Sequence, residues 1–303
     1  MTLEHRTKAP MFSLAAFKYR SVFTTEGGPI DRVTAMAMPV LGKAYHQANA
    51  FLKAGLVPVA RHAIYGEANG TGSSEDPQVA AHMAISEALE RWAFHATSSG
   101  ADGGKYGFDC DYSSNGMAAF PGLFKSMARK KAFHEALERF ALIGWWDGRL
   151  EATQEHGPFP GVSLVRIHHG VGPGEVVVLY RRAPSGITSY GHAAGSSVLT
   201  AASRAAIELV RNEFVITGYR ARGALVEPSS FAERRCLHYA SHEGFAEFLA
   251  RVDQKAVRPA PSWRVVFDGE IVGPWSKYAT VWRTCVEPPT DDFLNPNKMF
   301  FFW

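Results

Sequence analysis

The spacing of apolar and polar positions divides the chain into short strands and longer helices. Alternating or continuous apolar runs predict strands over 32–41, 56–65, 161–182 with a hairpin inside it, 187–195, 263–272 and 278–286. Apolar residues at helical spacing predict helices over 43–55, 76 to beyond 92, 123–146, 199–217 and 227–252. Strands interspersed with helices in this order predict an α+β fold, in which strand-or-loop and helix units repeat and a mixed sheet packs against the helices.

Two loops precede helices in this pattern. The first, Gly66–Ser74, is rich in small residues and leads to Asp76-Pro77, a typical helix start. Glycines there would let backbone N–H groups approach a ligand closely, or would simply make a strand-to-helix turn. The second loop contains Ser113-Ser-Asn-Gly116, a sequence typical of a tight turn.

The helices that follow these loops share a sequence. Glu87-Ala-Leu-Glu90-Arg91 and Glu135-Ala-Leu-Glu138-Arg139 each precede an aromatic residue and begin 48 positions apart. Residues at i and i+3 lie on one helix face, so each helix presents two carboxylates to one place. Two such helices facing each other would form a carboxylate cage suited to Mg²⁺. The other hypothesis is a solvent-exposed helix face, which would leave Glu87 and Glu135 far apart. A di-iron bundle is disfavoured because neither copy has Glu-x-x-His.

Composition narrows the class of protein. The 303 residues are 46% hydrophobic with a net charge of +3, which indicates a substantial core and argues against a nucleic-acid or membrane surface. No run approaches the about 20 apolar residues of a membrane span. Three distant cysteines, Cys110, Cys236 and Cys285, form no CxxC pair, and we expect buried packing for them in a reducing compartment. We therefore expect a soluble cytoplasmic protein. The histidines form no convincing zinc pattern.

These motifs together resemble the YcaO family of ATP-dependent enzymes that modify peptide backbone amides. The Gly70-Thr71-Gly72 loop and the first glutamate helix look like the family's Gly-Lys-Gly loop and helix. Ser114-Asn-Gly-Met-Ala-Ala119 and the second glutamate helix resemble its Ser-Asn-Gly-x-Ala-Ala turn and helix. The stretches 191–211, with Glu208, and 281–289 resemble a third repeat and the C-terminal strand. The resemblance spans residues 20–290, which we predict to be one domain between a lead-in, 1–19, and a tail, 291–303.

The resemblance implies an ATP site with Mg²⁺ held by Glu87, Glu90, Glu135 and Glu138. It further implies that Gly70, Thr71, Gly72, Ser114, Asn115, Arg139 and Arg283 bind the nucleotide, the two arginines at its phosphates and Asn115 at the wall of its pocket. Such enzymes phosphorylate the oxygen of a peptide amide, and a nucleophile attacks the amide carbon to give an azoline, an amidine or a thioamide. The implied partners are a ribosomally made precursor peptide and a protein that recognises its leader; a homodimer is also compatible. No general base is identified.

The sequence departs from the family pattern at several positions. Thr71 replaces the usual Lys or Arg, Phe120-Pro121 replaces Gly-Asn, and Arg211 stands where Gln is common. The chain ends in Phe-Phe-Phe-Trp and not in the Pro-x-Pro-x-Pro tail of many azoline-forming members. These departures motivate a second hypothesis, a non-catalytic YcaO-like subunit that binds a peptide or a partner enzyme in a biosynthetic complex.

Overall fold

A computed structural model describes residues 18–23, 28–59, 62–100, 102–121, 125–223, 226–228 and 230–301. The predicted lead-in lies outside these ranges except for residues 18 and 19, and so do the last two residues of the predicted tail. Five α-helices occupy this part of the chain: α1, Pro77–Ser98; α2, Lys125–Trp146; α3, Val198–Ala221; α4, Phe231–Tyr239; and α5, His242–Val252. Among the described residues, no helix is long and apolar enough to cross a membrane.

Ten strands form three antiparallel sheets in the described residues. They are β1, Ile30–Ala37; β2, His46–Leu52; β3, Gly70–Ser74; β4, Met117–Phe120; β5, Glu151–His156; β6, Ser163–His168; β7, Glu175–Arg182; β8, Thr188–Gly195; β9, Val265–Glu270; and β10, Thr280–Val286. The strand orders are β1-β2-β3, β4-β10-β9 and β5-β6-β7-β8. The predicted α+β class is confirmed, but antiparallel sheets replace the mixed sheet that we expected.

A strand leads into each of the three long helices, giving the units β3–α1, β4–α2 and β8–α3. In the first and third units, glycines let the helix backbone lie directly on the strand. A Cβ atom at Gly70 would stand 2.2 Å from the Ala84 carbonyl oxygen, and one at Gly191 would stand 2.0 Å from that of Ala205. Both distances are far below van der Waals contact, so these positions exclude any side chain.

The start of α1 confirms its predicted cap, because the Asp76 carboxylate accepts hydrogen bonds from the N–H groups of Gln78 and Val79. The prediction for 43–55 is wrong, since this region forms strand β2. The predicted strand over 56–65 is absent from the part of it that is described, and the predicted helix over 227–252 is interrupted between α4 and α5. The predicted strand over 32–41 corresponds to β1, and this strand is largely exposed.

The predicted C-terminal tail is packed into the core as far as residue 301. Phe293, Phe300 and Phe301 are buried in one cluster with Trp145 of α2 and Phe248 of α5. The Arg235 guanidinium, which is also buried, donates to the carbonyl oxygens of Phe293, Asn295 and Lys298. The segment therefore closes one end of the fold.

Candidate functional site

The four glutamates of the repeated motif lie where α1 and α2 approach each other. Glu90 is buried, at 6% exposure. The side chains of Glu87, Glu135 and Glu138 remain 30%, 32% and 21% exposed, so this group borders solvent. We call these four residues the glutamate cluster. The charges of the other three members all raise the pKa of Glu135, so the four carboxylates are close enough to interact. This contradicts the hypothesis of a solvent-exposed helix face, which would leave Glu87 and Glu135 far apart.

Glu87 is fixed by the strand beneath its helix. Its Oε2 atom accepts hydrogen bonds from the Thr71 backbone N–H at 3.0 Å and from the Thr71 hydroxyl at 3.1 Å. The Arg91 guanidinium lies 4.0 Å from Oε1. Both polar groups of Thr71 are thus directed at a carboxylate of its own chain.

Glu138 is fixed from the third unit. Its Oε1 lies 2.7 Å from His192 Nδ1, and its Oε2 accepts the Ala194 N–H at 3.1 Å; both partners belong to β8. Burial alone would lower the pKa of His192, but the hydrogen bond and charge of Glu138 raise it overall. The site therefore draws on all three strand–helix units.

Lys131 is a cation beside the cluster on α2. Its Nζ lies 4.0 Å from Glu135 Oε1, one helical turn away on α2. Burial raises the pKa of Glu90 to about 7, and Glu87 adds to this shift while Lys131 opposes it. Burial is the largest cause that raises the pKa of Glu135 well above its usual range, and the charge of Glu90 is the next. Burial would lower the pKa of Lys131, yet Glu135, Glu90 and Glu87 raise it overall.

The donor chemistry of the cluster suits Mg²⁺, which favours carboxylate oxygens. The arrangement of these carboxylates does not suit a Mg²⁺ ion. Among the described residues, no group of three or more His, Cys, Asp or Glu side chains is placed to hold a metal ion. Glu87 and Glu138 already accept N–H donors, the Ala119 backbone acts to lower the pKa of Glu90, and Glu135 faces Lys131. The four predicted ligands lie close together without forming one coordination sphere.

Of the two predicted phosphate-binding arginines, Arg139 lines a neighbouring pocket, together with Asp111, Asn115 and Thr284. Arg139 is buried and pairs with the Asp111 carboxylate through two hydrogen bonds of 2.6 and 2.8 Å. Arg283 has no exposed surface and donates to the carbonyl oxygens of Asp111 and Ser113. Arg139 therefore reaches the pocket wall, whereas Arg283 supports the loop behind it.

The remaining predicted ligand residues have structural partners. Gly70 and Gly72 lie in β3 beneath α1, so close packing accounts for them. Ser114 accepts the Met117 N–H at 3.1 Å through its carbonyl oxygen, which confirms the predicted turn before β4. Gly116 has a φ of +74°, and a Cβ there would stand 2.3 Å from the Thr284 carbonyl oxygen.

An open groove lies on the other side of the cluster. It is lined by Tyr45, Ser73, Ser74, Glu75, Thr200, Ser203, Arg204 and Ile207. Arg204 Nη1 donates to the Ala194 carbonyl oxygen at 3.1 Å and lies 3.3 Å from His134 Nδ1. Because the N–H of Ala194 binds Glu138, Ala194 connects Arg204 of the groove to the cluster.

Sequence reasoning missed Lys131, His192, Arg204 and Asp111. Lys131 had a local signal, since it stands four residues before Glu135 on the same helix. The other three had no local signal. His192 meets Glu138, and Asp111 meets Arg139, only through the tertiary fold. Cys236 and Cys285 are buried as expected, whereas Cys110 is partly exposed.

The matches to solved structures include two of equal TM-score. One is YcaO from Methanopyrus kandleri bound with AMPPCP and Mg²⁺, at a TM-score of 0.54 and 12% identity, covering 92% of this chain and 89% of that chain. This chain has a YcaO-like fold. The other is the E. coli microcin synthetase McbBCD complex with pro-MccB17 bound, at a TM-score of 0.54 and 11% identity. This match covers 88% of this chain and 89% of that chain. No family model and no curated protein matches the sequence.

The YcaO-like fold confirms the resemblance inferred from the motifs. At 11–12% identity, the likeness establishes the architecture and leaves the activity of this chain to be proposed from its own residues.

Proposed function

We propose that this chain is a YcaO-type enzyme that uses ATP and Mg²⁺ to activate a backbone amide in a ribosomally made peptide. The glutamate cluster carries the proposal, because four carboxylates from the two motif helices lie close together in a YcaO-like fold and carboxylate oxygens are the donors that Mg²⁺ favours. The similar M. kandleri structure contains AMPPCP and Mg²⁺, and the microcin synthetase structure contains a precursor peptide, so both ligand classes have precedents on this architecture.

The reaction needs a nucleophile, an amide and ATP. A Cys, Ser or Thr side chain, sulfide or a backbone amide adds to the amide carbon, and the resulting oxyanion takes the γ-phosphoryl group while ADP leaves. Loss of phosphate then gives an azoline, a thioamide or an amidine. The protein contributes positioning and charge neutralisation.

Two surfaces of the chain suit these substrates. The pocket at Asn115 and Arg139 presents an amide and a guanidinium, but at about 10 Å³ it has room for about one water molecule. A nucleotide would enter it only if Asp111 and the loop around it moved away from Arg139. The open groove at Arg204 offers hydroxyl groups and a cation to an extended peptide, next to Glu138. We assign the nucleotide to the pocket and the peptide to the groove. A precursor peptide and a leader-recognising protein are the proposed partners.

One observation favours the second hypothesis, a non-catalytic subunit. Arg139 is already paired with an internal carboxylate, and Thr71, which stands where the family carries Lys or Arg, is bound to Glu87. If nucleotide does not displace Asp111, the same groove would serve peptide binding alone, in a complex with a catalytic partner.

Substitution within the cluster separates the two hypotheses. We expect Glu87→Gln and Glu138→Gln to abolish ATP hydrolysis by the purified chain while circular dichroism shows a folded protein, because each removes one of the four charges. Hydrolysis would be measured as phosphate release with Mg²⁺ present. Glu227→Gln is the matched control, since Glu227 is exposed and lies outside α1, α2 and α3.

Full ATPase activity in both cluster variants would refute the enzymatic proposal. Tight binding of Mg-ATP by the wild-type chain in isothermal titration would count against the non-catalytic subunit. A wild-type chain that binds no ATP but retains a peptide would favour it.

A further inference from the structure

The open groove is lined by one cation and one anion, which come from different elements. Arg204 belongs to α3, and Glu75 belongs to the short connection between β3 and α1. Both residues are exposed. The other lining residues carry no charge, and all of them except Ile207 carry a hydroxyl group. The groove therefore presents one positive and one negative group to the same volume.

The chain itself neutralises neither of these charges. Arg204 Nη1 donates to the Ala194 carbonyl oxygen at 3.1 Å and lies 3.3 Å from His134 Nδ1, and neither partner is a carboxylate. Within the described ranges, no carboxylate forms an ion pair with Arg204, and no Lys, Arg or His forms one with Glu75. Both charges are thus left for water or for a ligand.

The next arginine on the same helix is different. Arg211 lies 3.0 Å from the Glu208 carboxylate and donates to Ser73 Oγ at 2.9 Å, so its charge is already paired within the chain. The contrast singles out Arg204 as the arginine of α3 that can offer its charge to the groove.

An exposed charge is usually satisfied by water, and alone it indicates no ligand. Two features favour a ligand here. The Ala194 carbonyl holds the Arg204 guanidinium in place, so the side chain loses little freedom when an anion binds. The groove also encloses about 380 Å³, which lies within the size range of ligand clefts, and protein walls strengthen the field of the charges that line a cleft.

We propose that the open groove selects its peptide by charge, and that it accepts a segment in which an acidic side chain pairs with Arg204 and a basic side chain pairs with Glu75. This inference deepens the proposed function and rests on it for the identity of the ligand as a peptide. A segment with two like charges meets repulsion at one of the two residues, so the groove rejects it.

The test measures the fluorescence anisotropy of four heptapeptides of Gly and Ser, with blocked ends and an uncharged dye. At two fixed positions they carry Asp and Lys, Asp and Asp, Lys and Lys, or Asn and Gln. These positions are three residues apart, so that an extended chain directs the two side chains to opposite sides.

We expect the wild type to bind the Asp/Lys peptide at least about fivefold more tightly than each of the others at low salt. High salt should reduce this preference. Arg204→Glu should shift the preference to the Lys/Lys peptide, and Glu75→Lys should shift it to the Asp/Asp peptide, because each variant gives the groove two charges of one sign.

Matched controls reverse exposed charges elsewhere. Arg220→Glu, on the same helix but outside the groove, and Glu227→Lys should keep the preference of the wild type. Arg204→Gln covers the case in which Arg204→Glu does not fold, since glutamine keeps an N–H donor and removes the charge. It should bind the Asp/Lys and Lys/Lys peptides within about twofold of each other.

Three results would overturn the proposal: equal affinity of the wild type for all four peptides, no detectable binding of any of them, or an unchanged preference in the charge-reversed groove variants. The titration contains no ATP, so its outcome is separate from that of the proposed function. If the expected preferences appear in a chain that hydrolyses no ATP, the enzymatic function fails and the charge selection stands. If ATP is hydrolysed but the four peptides bind equally, the reverse holds.

Discussion

At the scale of single residues, the pocket beside the cluster is organised by one buried ion pair. Asp111 holds the Arg139 guanidinium with two hydrogen bonds, while Arg283 holds the backbone of Asp111 and stacks at 3.9 Å on Phe108. A motif match identifies Arg139 but not Asp111, which lies 28 positions earlier with no spacing rule to connect them. The internal partner of a site arginine was therefore beyond prediction from sequence.

Replacing Asp111 tests the structural importance of this pair. Asp111→Ala leaves a guanidinium buried without its carboxylate, so we expect the free energy of unfolding to fall by about 3–5 kcal/mol. Urea unfolding followed by tryptophan fluorescence measures the change. Asp31→Ala, which removes an exposed partner of Arg32, should cost less than about 1 kcal/mol. A small loss for Asp111→Ala would mean that solvent reaches Arg139 freely.

At the scale of elements, the repeated unit is a strand with a helix lying directly on it. The helices were predictable because their apolar period and the Asp76 cap are local signals. Strand β2 was predicted as a helix because two of its three buried positions, Ala48 and Ala50, are filled by alanine, the strongest helix former. Its period of two is set by its place between β1 and β3, which local propensity does not report.

The closeness of β3 and α1 gives a prediction at this scale. Gly70→Ala would place a methyl group 2.2 Å from the Ala84 carbonyl oxygen, and the strand and helix would have to separate. We expect a loss of about 3 kcal/mol in the free energy of unfolding, measured by urea denaturation.

Gly172→Ala is the matched control for this substitution. A Cβ there meets nothing within 4 Å, so we expect a change within about 1 kcal/mol. Equal effects of the two substitutions would show that the contact between strand and helix is loose.

At the scale of the whole molecule, the C-terminal segment joins parts that the sequence suggested were separate. Phe301 is fully buried, with ring centroids 4.9 Å from Phe248, 5.1 Å from Tyr190 and Tyr239, and 6.0 Å from Trp145. An aromatic run after a Pro-Pro pair looks like a tail because it has no period. Its burial depends on a recess formed by α2, α5 and β8.

Removing this ring tests the role of the segment. Phe301→Ala should lower the free energy of unfolding by about 3–5 kcal/mol because it empties an aromatic site in the core. Thermal and urea unfolding would be compared with those of Met299→Ala, whose side chain is 44% exposed. If both variants unfold like the wild type, the segment is not part of the cooperative unit.

Ala194 has a consequence for communication across the molecule. Its carbonyl oxygen accepts Arg204 from the groove side, and its N–H binds Glu138 on the cluster side. Under the proposed function, a peptide that draws Arg204 toward itself would release the carbonyl end of this residue and shift the donor on which Glu138 rests. Occupancy of the groove would then be transmitted to a carboxylate of the cluster through a single amino acid, without a moving lid or a domain rotation.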